Sequence, residues 1–350
     1  KIMTLAGIRV GDGSTISTEM DVLDDHDKSV KNHLDVKEYT LEDLQNYGKK
    51  YSSIQELSRD TYRVSKIQWF KASITYFIKI ILNKNRNYYA HNGKTILKVI
   101  KNEVLFSLKK RYRQFFINKN LIKKINLDKK FVYFPLQLEP ERTILIPAAF
   151  YANQVEVIIN IARSLPIEYT LYVKEHPMQK IVNWRNISDY KKILELPNVK
   201  FIHQSFSNQE IIKNCSLVMT VTGTSGLEAA FYNKPSIVFG DVVFDVLPSV
   251  YKVKNLKELP QIIKTALLQK KVNIDDLNKF MNVLRASSFD FNQSELNILF
   301  TERFYYGGFL YDTDISIKDA ESFLEENKKI FKMLASEHQK KIIRYKNELK

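Results

Sequence analysis

Residues 216–232 read S-L-V-M-T-V-T-G-T-S-G-L-E-A-A-F-Y. The apolar run Ser216–Val221 is typical of a buried strand, and Leu227–Tyr232 is typical of a helix. Only Thr, Ser and Gly lie between them. A helix that begins directly after a buried strand exposes free backbone N–H groups and the positive end of its dipole. The stretch therefore predicts an α/β fold with a phosphate site at Thr222–Gly226.

A second predicted strand, Tyr169–Lys174, also ends in residues that can carry chemistry. It is followed by Glu175-His176-Pro177, and the proline ring fixes the backbone there. The His176 imidazole can donate to a phosphate or to a leaving-group oxygen, and Lys174 can add a charge. A histidine that only packs at a strand end is the alternative. The neighbouring Thr222–Gly226 turn favours the ligand-binding interpretation.

Strands and helices alternate through the second half of the chain. The predicted strands are Phe131–Phe134, Tyr169–Lys174, Val199–Ile202, Ser216–Val221, Pro235–Phe239 and an edge strand over 249–253. Helices are predicted over 148–164, over 184–196, from 208 with Ser207 as its N-cap, from 225 and over 256–269. This alternation indicates right-handed βαβ units and a parallel sheet, whose ligands bind outside the carboxyl ends of the strands. The residues expected on that rim are Glu139, Glu141, Lys174–His176, His203–Ser205, Thr222–Ser225 and Gly240–Asp245.

The turn before residue 227 offers several groups to a phosphate. Thr222, Thr224 and Ser225 supply hydroxyls and backbone donors, while Gly223 and Gly226 let the chain approach a ligand closely. Such a turn is also an ordinary helix cap. Glu228 follows Ser225 by three residues, so we expect it to close a capping box, to accept hydrogen bonds from a ribose diol, or to do both.

Residues 1–130 predict mostly helices and at most one strand, over 4–10. Thr40–Asp43 is typical of a capping box. Two basic amphipathic helices follow, one with apolar residues at helical spacing over 62–81 and one over 94–119. We interpret their apolar stripes first as core with a solvated basic face. Contact with a membrane surface is the next interpretation, ahead of nucleic acid.

The net charge of +15, from 54 Lys and Arg against 39 Asp and Glu, favours a polyanionic partner such as a membrane surface, nucleic acid or a phosphorylated substrate. Genomic base bias is the alternative cause. Cys215 is the single cysteine, which fits a reducing compartment. No stretch reaches the ~18 apolar residues of a membrane span, and the start lacks the features of a signal peptide. We therefore expect a cytoplasmic protein, and the missing initiator Met indicates a fragment.

Several enzyme classes lose support from the motifs. The sequence contains no P-loop, G-x-G-x-x-G, zinc pattern or G-x-S-x-G elbow, which weakens NTPase, dehydrogenase and hydrolase interpretations. Asp24, Asp25, His26 and His33 lack the spacing of a known metal site, so we interpret them as part of a solvated acidic loop. Neither a metal nor a cofactor is predicted.

Four segments carry a family resemblance. They are F-P-L-Q-L-E-P-E over Phe134–Glu141, Gln154 in the following helix, L-Y-V-K-E-H-P over Leu171–Pro177, and T-G-T-S-G-L-E-A-A-F-Y-N-K-P-S-I-V-F-G over Thr222–Gly240. Together they resemble the capsule polysaccharide biosynthesis family, GT-B-fold glycosyltransferases related to the Kdo transferases of capsule assembly. The resemblance covers about residues 130–270. Teichoic-acid glycerophosphotransferases and bacterial sialyltransferases, which also have His-Pro near a Ser/Thr-rich turn, are weaker likenesses.

The resemblance implies a GT-B-like α/β fold in three parts. These are a mostly helical, incomplete N-terminal lobe over 1–130, a Rossmann-like donor-binding lobe over 131–272, and C-terminal helices over 273–350 that pack back on the N-terminal lobe. It implies a metal-independent transferase that moves a sugar from a nucleotide donor, first of all CMP-Kdo, to a capsular polysaccharide or its lipid-linked precursor. The donor-binding residues it implies are Gln154, Lys174, Glu175, His176, Pro177, Thr222, Gly223, Thr224, Ser225, Gly226 and Glu228.

The N-terminal half departs from the family pattern. GT-B enzymes have a full Rossmann-like acceptor lobe there, which commonly supplies the catalytic carboxylate, and residues 1–130 predict too few strands for one. Either the lobe is truncated or its first strands lie upstream of Lys1. Asp12 and Glu141 are the two candidate catalytic acids. A non-catalytic nucleotide-binding module and a glycerophosphotransferase of the teichoic-acid type remain alternatives. The expected partners are a nucleotide sugar, a glycan or glycolipid acceptor, and the anionic inner face of the cell membrane.

Overall fold

A computed structural model describes most of the chain, and its residues form two compact units. The described residues are 4–7, 13–17, 37–48, 66–82, 96–127, 129–177, 179, 185–269, 272–308, 310 and 313–348. One unit comprises Lys1–Thr18, Tyr51–Leu105 and Ser288–Lys350, and the other comprises Glu19–Lys50 and Phe106–Ser287. The second unit therefore extends beyond the predicted 131–272 lobe at both ends.

The second unit contains a six-stranded parallel sheet. We number its strands β1 (Phe131–Pro135), β2 (Thr170–Lys174), β3 (Val199–Ile202), β4 (Leu217–Thr220), β5 (Ser236–Val238) and β6 (Val250–Lys252). Their spatial order is β3-β2-β1-β4-β5-β6, and every neighbouring pair is parallel. This is the strand order of a Rossmann-like domain. The predicted α/β class with a Rossmann-like parallel-sheet lobe is confirmed, and β6 is an edge strand as predicted.

Helices connect the strands on both faces of the sheet. The longer ones are Gln154–Ser164, Ile187–Leu194, Asn208–Asn214, Ser225–Phe231 and Leu259–Leu268. Ser207 caps its helix as predicted, because its side chain accepts from the Glu210 N–H. The predicted helix over 148–164 is wrong at its start. A 3-10 turn over Ala149–Tyr151 comes first, and the α-helix begins after Asn153, whose side chain accepts from the Glu156 N–H.

The loop after β1 also contains a short helix that the sequence did not predict. It spans Arg142–Leu145, between the predicted strand Phe131–Phe134 and the predicted helix over 148–164. Ile144 is its buried residue, so one apolar anchor holds a turn that is otherwise polar in sequence.

The core explains why the strands read as continuous apolar runs. Alternate strand residues point to opposite faces, and both faces are covered. Phe134, Val173 and Met219 belong to one buried cluster, and Phe131 and Tyr133 belong to the other. Because neither face meets water, the strands show no polar alternation.

A segment near the N-terminus belongs to the second unit and packs on one of its later helices. The N–H groups of Lys37 and Tyr39 donate to Asn282 Oδ1 and Asn278 Oδ1, both at 2.9 Å, on the helix Ile274–Ala286. The helix over residues 41–48 starts with the predicted capping box. Thr40 N–H donates to Asp43 Oδ2 at 2.9 Å, and Asp43 N–H donates to Thr40 Oγ1 at 3.1 Å.

The first unit combines a small sheet with long helices. Its antiparallel strands are Thr4–Gly7, Gly13–Ser17 and Phe289–Asp290. Its helices include Lys66–Leu82, Gln293–Phe304, Ile317–Glu326 and Lys328–Glu348. The sequence predicted at most one apolar strand before residue 130, and Gly13–Ser17 is a second, polar strand that it did not predict. Its G-S-T-I-S sequence has no apolar run, so only pairing with its neighbours defines it as a strand.

The two basic helices expose much of their apolar surface. In Lys66–Leu82 the side chains of Ile67, Phe70 and Ile74 are exposed, and in Ile96–Asn120 those of Leu108 and Tyr112 are exposed. The core interpretation is wrong for these side chains. Within the described residues, none of the helices has the length and hydropathy needed to cross a membrane.

Candidate functional site at the switch point of the sheet

The strand order reverses between β1 and β4, and we call the space between the loops that follow these two strands the switch-point crevice. The chain builds outward from β1 through β2 to β3, then returns to β4 on the other side of β1. At such a switch point the loops after the two central strands leave in opposite directions, and ligands bind between them. Here those loops are residues 136–141 and 221–225. The loops after all six parallel strands share this edge of the sheet, as predicted.

Gln137 joins the two loops that flank the crevice. Its Nε2 donates to Thr222 Oγ1 at 3.0 Å, and its Oε1 accepts from the Thr222 N–H at 2.8 Å. The Thr222 hydroxyl is also 2.7 Å from the carbonyl oxygen of Thr143, to which it donates. Thr222 is therefore held by three hydrogen bonds, and its position relative to β1 is fixed.

Gln154 supports the same loop from the side. It is 1% exposed, its Oε1 accepts from the Gln137 N–H at 2.8 Å, and its Nε2 donates to the Gln137 carbonyl at 3.1 Å. It also donates to the Glu139 carboxylate. The structure thus places this residue under the loop, where its amide satisfies buried backbone groups.

Arg185 lies at the centre of a buried ion-pair network. Its Nε is 3.0 Å from Glu175 Oε2, it forms an ion pair with Glu139, and its Nη2 donates to the Gln137 carbonyl at 2.6 Å. The Tyr190 hydroxyl donates to Glu175 Oε2 at 2.9 Å. Burial raises the pKa of Glu175, and the Arg185 charge opposes that rise. These partners offset the free-energy cost of burying the Glu175 carboxylate.

The backbone of His176 is held at both ends. Its N–H donates to Glu175 Oε1 at 2.9 Å, and its carbonyl accepts from the Gln179 N–H at 3.0 Å. The Gln179 side chain pairs with the backbone of Glu139 through two hydrogen bonds of 2.9 Å. The imidazole itself is half-buried. The network therefore presents the His176 side chain at the rim from a fixed main chain.

Lys174 lies beneath the rim. It is 3% exposed, and its ammonium donates to the Phe206 carbonyl and, at 2.6 Å, to Asn208 Oδ1. The Tyr133 hydroxyl donates to the same Asn208 oxygen at 3.0 Å. Burial and the nearby carboxylate of Glu228 raise the pKa of Tyr133 well above its ordinary value. The described contacts of Lys174 are thus internal.

The Thr222–Gly226 turn differs in one respect from the prediction. The helix Ser225–Phe231 has Thr224 as its N-cap, with no side-chain capping bond, and the Thr224 hydroxyl is 3.4 Å from Glu228 Oε1. The predicted capping box of Ser225 and Glu228 is wrong. The cap lies one residue earlier, so Glu228 is at the fourth helical position and not at the third, from which a capping box closes.

The turn glycines are surrounded by protein atoms. A Cβ on Gly223 would lie 2.6 Å from Thr220 Oγ1, and a Cβ on Gly226 would lie 2.9 Å from the Phe244 ring. These glycines let the turn pack closely on the strand end and on the following loop. Approach to a ligand, the role expected of them, remains a prediction.

The structure describes one of the two candidate catalytic acids. Asp12 is outside the described residues. Glu141 is half-buried, precedes the short helix Arg142–Leu145, and makes no side-chain cap there. Across the described residues, no cluster of His, Cys, Asp and Glu has the arrangement of a metal site.

Sequence reasoning missed the residues that hold the site together, namely Gln137, Gln179, Arg185, Tyr190 and Asn208. Gln137 could have been found, because it belongs to the F-P-L-Q-L-E-P-E segment that carried the family resemblance. The others have no local signal, since their roles depend on burial and on distant partners.

Comparison with known proteins identifies the family. Residues 46–252 match the family model described as "Capsule polysaccharide biosynthesis protein". The match covers both flanks of the switch-point crevice, and it begins well before residue 130, where the sequence resemblance was expected to start.

Three individual proteins show what the chain is similar to. Protein FixF of Sinorhizobium fredii is 25% identical over 39% of this chain and 32% of its own, and the capsule polysaccharide export protein KpsS of Escherichia coli is 24% identical over 36% and 34%. The chain spans about a third of the length of these curated relatives. The solved structure of Thermosulfurimonas dismutans KpsC, a β-Kdo 2,7 transferase, is 15% identical over 60% of this chain and 67% of its own, with a TM-score of 0.31.

Proposed function

The chain belongs to the capsule polysaccharide biosynthesis protein family, and from this premise we propose that it is a glycosyltransferase of capsule assembly. The proposed reaction moves a sugar from a nucleotide-activated donor to a surface polysaccharide or its lipid-linked precursor. The observation that carries the proposal is the Gln137–Thr222 connection, which fixes two loops around a switch-point crevice. A CMP-Kdo-like donor is the first candidate, and the expected location is the cytoplasm, peripheral to the membrane.

The rim residues receive distinct roles in this proposal. The hydroxyls and first-turn N–H groups of Thr224 and Ser225 bind the donor phosphate, because the first N–H groups of a helix have no acceptor within it. His176 donates to the leaving phosphate oxygen, and Glu228 accepts hydrogen bonds from the ribose. Lys174 and Glu175 support the donor site from beneath the rim. Their charges and hydrogen bonds hold the end of β2 in place.

The proposed chemistry is a displacement at the anomeric carbon. An acceptor hydroxyl attacks that carbon, the bond to the phosphate oxygen breaks, and the nucleotide leaves with the bonding electrons. A carboxylate removes the hydroxyl proton, and Asp12 and Glu141 are the proposed candidates. Fixed donors aimed at the leaving phosphate stabilise the charge that develops on it. No metal is required in this scheme.

A transfer assay on the full chain tests the proposal. CMP-Kdo is supplied with a capsular oligosaccharide acceptor, and the His176→Ala variant is compared with wild type. We expect turnover to fall about 10²-fold, the loss typical when one preorganised donor is removed, with an unchanged denaturation curve. His338→Ala, whose ring lies in the helix Lys328–Glu348, is the matched control. Native turnover in His176→Ala would show that the site assignment is wrong.

Titration calorimetry separates the alternatives. CMP, UDP and CDP-glycerol are titrated into the wild-type chain. Binding of CMP together with transfer supports the proposal. CDP-glycerol binding with glycerophosphate transfer would identify a transferase of the teichoic-acid type, and nucleotide binding without any transfer would identify a non-catalytic module. If none of the three nucleotides binds, the nucleotide site itself is excluded.

A further inference from the structure

The helix Ile96–Asn120 presents a row of large apolar side chains to solvent. In the part of the helix that belongs to the second unit, residues 106–120, the row consists of Leu108, Tyr112 and Phe115. Its members recur three or four residues apart, so they lie along one face of the helix. Leu108 is 57% exposed, Tyr112 59% and Phe115 64%. We call these three residues the apolar row.

Packing of the helix on the sheet explains why the apolar row faces outward. Ile117 is buried in the core of the second unit, and Phe116 packs against the same cluster, with its ring centroid 6.4 Å from that of Tyr190. Phe116 and Ile117 therefore define the inward side of the helix. Leu108 and Phe115 are exposed away from that side, in a segment that belongs wholly to the second unit.

The charge along the helix has one sign. The helix contains seven Lys and Arg residues and a single acid, Glu103. The exposed basic side chains include Lys98, Lys101, Lys109, Lys110, Arg111 and Lys119. Within residues 106–120, the part of the helix in the second unit, the apolar row is thus flanked by cations and by no acid.

We propose that this face of Ile96–Asn120 docks on an anionic lipid surface. The apolar row enters the boundary between headgroups and acyl chains, and the flanking Lys and Arg side chains bind the lipid phosphates. The row and the charges favour this occupant over the others. A second copy of the helix would bring equal positive charge against it, and a nucleic acid would leave the apolar row in water.

The inference does not rest on sugar transfer. Docking requires only the helix and the lipid, so it is measured without donor or acceptor. A lipid-linked acceptor would lie on the same surface, which connects docking to the proposed function. If no sugar transfer is detected, the flotation result still tests docking. If no docking is detected, the transfer assay still tests the proposed function.

Vesicle flotation of the full chain tests docking. The probes are vesicles of phosphatidylcholine alone and of an equal mixture with phosphatidylglycerol. Wild type should float with the mixed vesicles only. Lys109→Gln/Lys110→Gln should bind about 25-fold more weakly, because each Lys near such a surface contributes about fivefold. Leu108→Ser/Phe115→Ser should bind at least about tenfold more weakly, since it removes buried apolar area.

Control variants, a DNA-duplex binding assay and the oligomeric state in solution complete the test. Lys191→Gln/Lys192→Gln and Ile167→Ser alter exposed residues elsewhere on the second unit and should float like wild type, and circular dichroism checks folding of every variant. Three results would overturn the proposal. They are no flotation of wild type, equal flotation of the apolar-row variant together with binding of a DNA duplex, and a wild-type dimer that Leu108→Ser/Phe115→Ser dissociates.

Discussion

The side-chain amide of Gln137 hydrogen-bonds both the N–H and the hydroxyl of Thr222, at 2.8 and 3.0 Å. The two residues are 85 positions apart in the chain, and they follow the two strands at the centre of the sheet. Their contact joins the two loops that flank the switch-point crevice. It also fixes the turn that is proposed to bind the donor phosphate.

Replacing Gln137 with Ala should loosen that turn. The change leaves the Thr222 N–H without its acceptor in a half-buried place, which costs about 1–3 kcal/mol of unfolding free energy. We expect denaturant unfolding to show this loss and calorimetry to show weaker nucleotide binding. Gln261→Ala, at an exposed position of the helix Leu259–Leu268, should change neither. Equal nucleotide affinity in Gln137→Ala would show that the contact does not organise the site.

Removing the Arg185 charge should make the free energy of unfolding depend more strongly on pH. In Arg185→Met the buried Glu175 loses its cation, so its already raised pKa rises further. A carboxyl whose folded pKa lies above its unfolded value stabilises fully below the unfolded value, and this stability is lost as pH rises through the folded pKa. The destabilisation should therefore be about 3–5 kcal/mol at neutral pH and smaller near about pH 5. Urea unfolding at both pH values measures it.

Two controls accompany this measurement. Arg185→Met/Glu175→Gln removes both charges, so it should be less destabilising than the single variant at neutral pH and should lose most of the pH dependence. Arg303→Met breaks an exposed ion pair with Glu326, which should cost at most about 1 kcal/mol. A single variant whose destabilisation did not change with pH would contradict the role given to Arg185.

Lys174→Met separates an internal role from a ligand-binding one. The variant leaves the Phe206 carbonyl without the Lys174 donor and removes one of the two hydrogen bonds to Asn208 Oδ1, which should cost about 1–3 kcal/mol. Lys200→Met on the adjacent strand β3, where the side chain is exposed, should stay within about 0.5 kcal/mol of wild type. Thermal unfolding and nucleotide titration are measured together. If Lys174→Met kept full stability but lost nucleotide binding, Lys174 would be a direct donor ligand.

Gly240→Ala should disturb the packing behind the site. A Cβ there would lie 2.6 Å from both Ala148 Cβ and Thr222 Cγ2, and 3.0 Å from the Pro147 carbonyl oxygen. Overpacking of this kind costs about 1–3 kcal/mol. At Gly48 the nearest side-chain atom would be 3.5 Å away, so Gly48→Ala should be neutral or slightly stabilising. Denaturation midpoints of the two variants that did not differ would contradict this packing argument.

Local sequence patterns predicted the strands of the parallel sheet well, because both faces of that sheet are buried. Tyr169–Lys174 was predicted as a strand, and the strand is Thr170–Lys174. The Thr40–Asp43 box and the Ser207 cap also formed, because such bonds join residues only three positions apart. Gly13–Ser17 was missed, since a polar strand is defined by its partners.

The candidate site was predicted only in outline. Residues that directly follow parallel strands lie at the carboxyl edge of the sheet. This rule predicted that His176 and Thr222–Ser225 share that edge. It could not show that Lys174 turns inward to Asn208, or that Gln154 lies under a loop. Those positions depend on which polar groups need partners once the core has formed.

The sequence by itself determined the parallel α/β lobe, its family and the rim on which chemistry is expected, because apolar runs and turn residues act over a few positions. The tertiary structure alone decided how the rim is held. Arg185, Gln137 and Gln179 meet their partners only when β1, β2 and β4 lie side by side. The outward face of Ile96–Asn120 was decided in the same way, since packing of Ile117 on the sheet selects which side of the helix meets solvent.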